Sequence, residues 1–87
     1  MILLTGQWDE GGNLIVKTSD ELPDDTPDKV TDKLADTLIS ENGTEFNGWA
    51  ASFLVDTHSS AVNEAYATYV EDEGTKIIDN VHGVLVD

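Results

Sequence analysis

The stretch 45-EFNGWAASFLV-55 decides the fold, because it admits two readings. Phe46, Trp49, Ala50 and Phe53 recur at i, i+3, i+4 and i+7, the spacing of one face of an α-helix. Trp49, Ala51, Phe53 and Val55 alternate instead, as the buried face of a strand does. Gly48 weakens a helix, but the Ala50-Ala51 pair disfavours a strand. The residues therefore favour a helix over 45–55, with a strand as the alternative.

Upstream of this stretch, Thr26-Pro27 reads as a helix start: Thr caps free amides, and Pro at the first helical position loses no hydrogen bond. Val30, Leu34, Thr37 and Leu38 share one arc of the helical wheel, with Asp28, Asp32 and Asp36 as a neighbouring stripe. The helix should end near Glu41, where Asn42-Gly43 offers a left-handed cap. Further back, Ile2 to Trp8 and Asn13 to Thr18 are β-prone runs around Asp9-Glu10-Gly11-Gly12, the pattern of an antiparallel hairpin. Residues 19–25, with their acids and Pro23, read as a loop.

Downstream, Ser59 or Ser60 is placed to cap another helix, whose apolar half holds Ala61, Val62, Ala65, Tyr66, Tyr69 and Val70 and which should stop before Gly74. The tail has two β-prone pieces, 76–78 and 81–86. An isolated hairpin is only marginally stable, so Val84-Leu85-Val86 is expected beside the N-terminal hairpin as a third strand. The expectation is an α+β fold, one domain over 1–87, in the order β-β-α-α-α-β: an antiparallel sheet packed against two or three helices.

Composition narrows the chemistry. The chain has 18 Asp or Glu against 4 Lys and no Arg, a net charge of −14 with His neutral. Small soluble domains usually stay within a magnitude of about 2 to 8. The absence of cysteine excludes disulfides, Cys-zinc sites and thiol catalysis. Ile2-Leu3-Leu4 is too short for a signal-peptide core, and no stretch approaches the roughly 20 residues of a membrane span. A cytoplasmic protein without membrane contact is expected, in the host cytoplasm if the gene is viral. Asn42-Gly43-Thr44 fits a glycosylation sequon but reads as a turn. With no basic stripe, direct binding to nucleic acid or acidic lipid is not expected.

Candidates for catalysis are few. Asp56, His58, Ser59 and Ser60 hold the residue types of a hydrolytic triad, but adjacency in sequence is not triad geometry. His82 beside Gly83 reads as a loop or strand-end residue. Asp20 to Asp28 lacks the central Gly of a calcium loop and holds both prolines. Gly11-Gly12 sits at a hairpin tip, not at a helix start where phosphate binds. No cofactor, no metal and no enzymatic activity are expected.

The acids themselves remain. Asp20, Glu21, Asp24, Asp25, Asp28, Asp32 and Asp36 face only Lys29 and Lys33 in that segment. Glu64, Glu71, Asp72 and Glu73 form a second group. Acids near a helix N-terminus are favourable, which accounts for Asp24, Asp25 and Asp28 but not for Asp36, nor for three acids at a helix C-terminus. In size and charge the chain resembles the virus-encoded nucleic-acid-mimic inhibitors of restriction, repair or CRISPR enzymes. That similarity implies a Lys/Arg-rich protein partner, a nucleic-acid-binding groove, with both acidic groups as the contact surface. The alternatives are a structural or assembly subunit docking through Trp8, Trp49, Tyr66 or Tyr69, for which self-association is left open, and a domain adapted to high salt.

Overall fold

The computed structural model describes residues 1–81, with Glu73 by its backbone alone. The expected hairpin is present as β1 (Ile2–Trp8) and β2 (Leu14–Glu21). Asp9 builds its turn: one carboxylate oxygen accepts the backbone N–H of Gly11 and of Asn13, each at 2.8 Å, and the other accepts Asn13 Nδ2 at 3.0 Å. The Asn13 side-chain amide, followed by the backbone N–H groups, holds the Asp9 carboxyl below its ordinary pKa. The turn is thus strongest at neutral pH and loosens as pH falls through that lowered value.

Helix α1 (Asp28–Glu41) begins on Pro27, whose carbonyl accepts the N–H of Val30 and Thr31 at 3.0 and 3.1 Å. Thr26 does not cap it; its hydroxyl turns back to Pro23 O at 2.7 Å. At the other end the expected left-handed cap forms at Gly43, φ 67°. Thr44 N–H reaches Ile39 O and Gly43 N–H reaches Ser40 O, the paired bonds of a Schellman motif.

The deciding stretch is a strand, β3 (Gly48–Phe53), antiparallel to β1. Tertiary pairing overrides the Ala50-Ala51 propensity: β1 is buried on both faces, with Ile2, Leu3 and Leu4 each at most 5% exposed, and such a strand needs a neighbour on each side. The fourth strand, β4 (Ile77–Asp79), runs parallel to β2, so the sheet is mixed in the order β3-β1-β2-β4 and not wholly antiparallel. The strand expected at Val84-Leu85-Val86 lies outside the described residues, as does His82.

Side chains alternate across β1 and β3, and this puts the two helices on opposite faces. Ile2, Leu4 and Trp49 join Leu14, Val16, Ala61, Ala65 and Val70 in one cluster under α2 (His58–Ala65) and the helical turns after it. On the other face a Cβ at Gly48 would sit 2.8 Å from Ile39, so α1 lies there, over Leu3, Thr5, Ala50 and Ser52. The Thr5 and Thr18 hydroxyls hydrogen-bond beneath it. The residues of α1 that are fully buried are Thr31 and Ala35. The helix is therefore rotated by about one residue step, roughly 100°, from the expected arc, and Val30 is left exposed.

The last helical segment is capped by Thr57, one position before the helix, and not by Ser59 or Ser60. The Thr57 hydroxyl oxygen accepts Ser60 N–H at 3.1 Å. After α2 the chain widens into a π turn at Tyr66–Val70 and tightens into a 3-10 turn at Glu71–Glu73, ending at Gly74 with φ 69°. The wide turn has a packing role: Ala61, Ala65 and Val70 are all buried, and the step of five between the last two stays in line only with i→i+5 spacing. Thr57→Ala should cost about 1 kcal/mol, a fall of roughly 4 to 8 °C in melting temperature, checked by calorimetry.

Candidate partner-binding surface

Of the first acidic group, Asp28, Asp32 and Asp36 lie on α1, with Asp24 and Asp25 in the loop leading into it. Asp28, Asp32 and Asp36 are all exposed and recur every four residues, about 6 Å apart along the helix. Asp24 and Asp25 are exposed in the preceding loop, where Asp24 pairs with the N-terminal ammonium. Asp20 and Glu21 belong to β2 and not to a loop; Asp20 is half-buried opposite Leu3 on the α1 face, and Glu21 points to the other face.

The second group is not brought to this surface. Glu64, Glu71 and Asp72 are exposed on the α2 segment, across the sheet from α1, and the Glu73 backbone closes the same segment. The two groups therefore form separate acidic faces.

Among the described residues the ion pairs within 4 Å are Met1–Asp24 and His58–Asp79. Asp28, Asp32 and Asp36 thus meet no side-chain cation, although Lys29 and Lys33 stand on the same helix. The two lysines instead border a shallow apolar cleft with Val30, Leu34 and Thr37. No ion pair within 4 Å holds or orients the stripe, so its carboxylates face solvent.

A separate polar cluster links residues far apart in sequence. His58, at the first position of α2, places Nδ1 2.8 Å from Ser19 Oγ and Nε2 2.6 Å from Asp79 Oδ2. This has the connectivity of Ser-His-Asp, but it uses neither Asp56, Ser59 nor Ser60. Two clefts lined by described residues, the one on α1 and another around Met1, Glu21, Pro23 and Asp56, include none of the three. What the cluster does geometrically is tie the start of α2 to β2 and β4. Sequence reading marked His58 but had no means of pairing it with Ser19 or Asp79, which only strand register brings near.

Aromatic exposure is divided. Trp49 is buried with Tyr69 edge-on against it, ring centroids 5.4 Å apart at 84°. Tyr66 and Tyr69 are partly exposed, while Phe46 stands out from the turn before β3. No described helix is long and apolar enough to cross a membrane. Comparisons with protein families, curated proteins and solved structures find no match to the chain.

Proposed function

We propose that the protein is an acidic binding module that occupies the basic nucleic-acid-binding groove of another protein, acting in the cytoplasm by contact alone and not by catalysis. The observation that supports this is the α1 stripe: Asp28, Asp32 and Asp36, exposed and without a side-chain cation within 4 Å, continuous with Asp24 and Asp25. One stripe at about 6 Å is sparser than a DNA strand, which carries a charge about every 3.4 Å. The loop acids thicken it on one side of the body. The acids Glu64, Glu71, Asp72 and Glu73 would serve as a second contact only for a partner that reaches round the domain.

Binding of this kind weakens as salt rises, because exposed charges are screened beyond about 8 Å at physiological ionic strength. The test is capture of a Lys/Arg-rich, nucleic-acid-binding protein at low salt, its release by rising salt, and competition by duplex or single-stranded DNA. Simultaneous binding of DNA and this protein to the captured partner would refute occupancy of the groove. A cooperative melt at about 0.15 M salt is expected as well, whereas folding only at molar salt would point to salt adaptation.

The double change Asp32→Asn with Asp36→Asn separates surface from scaffold. The repulsions within the stripe and the attractions to Lys29 and Lys33 are each about 0.2 to 0.5 kcal/mol and oppose one another, so stability should move by less than roughly 0.5 kcal/mol. Affinity for the basic partner should fall several-fold and its salt dependence should become shallower. Unchanged affinity in a folded variant would remove α1 from the contact.

A further inference from the structure

Among the described residues, β3 forms an outer edge of the sheet with no strand beyond it. Residues 46–55 form the longest stretch without Asp, Glu, Lys or Arg, and β3 lies at its centre. Edge strands are normally blunted by a charge, a proline, a bulge or short length. β3 has six residues, no proline or charge, and an unbroken register against β1. The opposite edge, β4, has three residues.

The phase of the ladder shows which backbone groups are open. Trp8 N–H donates to Asn47 O at 3.0 Å, so Trp8 and Asn47 form a hydrogen-bonded pair. Alternation then makes Gly6/Trp49, Leu4/Ala51 and Ile2/Phe53 the next such pairs. The N–H and C=O groups of Gly48, Ala50 and Ser52 therefore point away from β1, and Gly48 and Ser52 are exposed. Large apolar side chains flank this edge. Phe46 is 96% exposed and Leu54 76% exposed, each four residues from Ala50.

We propose that β3 is a self-association edge on which a second copy of this chain pairs antiparallel about a twofold axis at Ala50, giving a continuous eight-stranded sheet. Two features choose a second copy over a foreign strand. Centring on Ala50 sets Gly48 opposite Ser52 and brings the Phe46 level of each copy to the Leu54 level of the other, so the exposed apolar pair is self-complementary. In addition, a chain of charge −14 repels its own copy least along its uncharged run, and that run offers a basic partner no carboxylate.

The salt response has the opposite sign to that of the acidic surface. Raising salt screens repulsion between two anionic copies, so self-association should tighten several-fold between about 0.05 and 0.5 M salt, while binding of a basic partner weakens. Sedimentation equilibrium of the full chain over micromolar to submillimolar concentration reads this directly. A protein that stays monomeric throughout, at both salts, overturns the proposal without bearing on the acidic surface. Ala50→Pro removes an outward N–H while leaving the β1 ladder intact, and should raise the dimer dissociation constant at least about tenfold with the circular dichroism retained. Phe46→Ser with Leu54→Ser alters exposed side chains alone, should also raise it about tenfold, and carries the test should the proline variant fail to fold. A folded double variant that dimerises like the parent would overturn the assignment of this edge.

Discussion

Gly6→Ala is expected to lower stability by more than about 3 kcal/mol, a fall of more than roughly 12 °C in melting temperature, and to leave much of the protein unfolded at 37 °C. The pairing of β1 with β2 shifts between Thr5 and Gly6, where Lys17 is the extra residue of a bulge. The bulge carries the Ile15 carbonyl over Gly6, and a Cβ there would stand 1.8 Å from that oxygen. Both groups are backbone in the middle of the sheet, so relief requires parting the two strands that hold the core. The small gain from restricting the unfolded chain, about 0.4 to 1 kcal/mol, does not offset this. Gly11→Ala in the exposed turn is the control: its nearest contacts would be ordinary at 3.5 Å, and stability should stay within about 1 kcal/mol. Chemical denaturation of both variants decides it. A Gly6→Ala protein as stable as the parent would mean that the bulge is not where this register places it.

Part of the fold is legible in the residues and part is not. The hairpin could be read because its signals are local: two β-prone runs and a turn whose Asp9 binds its own neighbours. The Gly43 cap is equally local. The strand at Gly48–Phe53 is hidden behind a helix reading because Trp49 and Phe53 satisfy both periods at once. The information that separates them, that β1 is buried on both faces and needs two neighbours, sits some forty residues away. The rotation of α1 is not legible in the sequence for a related reason. Hydropathy favours burial of the arc Val30, Leu34, Thr37 and Leu38, of which Leu34 and Leu38 are half-buried, yet the residues of α1 that are fully buried are Thr31 and Ala35, on the side facing Leu3, Thr5 and Ala50. The acids of α1 were legible because unpaired carboxylates almost always stay in water. That the second acidic group lies across the sheet required the topology.

Replacing His58 with Ala should cost about 2 kcal/mol, the second largest effect expected. The His58 and Asp79 side chains are 16% and 14% exposed, so the carboxylate left behind would be largely buried with one hydrogen-bond donor removed; Val81 N–H at 3.0 Å would still reach its other oxygen. Through Nδ1 toward Ser19 Oγ and Nε2 toward Asp79 Oδ2, one imidazole joins three elements. Ser19→Ala should cost less, about 1 kcal/mol, since it removes a neutral hydrogen bond. A cycle of His58→Ala, Asp79→Ala and the double change measures the pair directly by urea denaturation, and a coupling of about 1 to 2 kcal/mol is expected. A coupling within about 0.3 kcal/mol of zero would show that the His58–Asp79 contact adds nothing to the anchoring of α2. The measured coupling thus fixes how firmly the α2 layer, with Glu64, Glu71 and Asp72 on its surface, is anchored to the two strands beneath it.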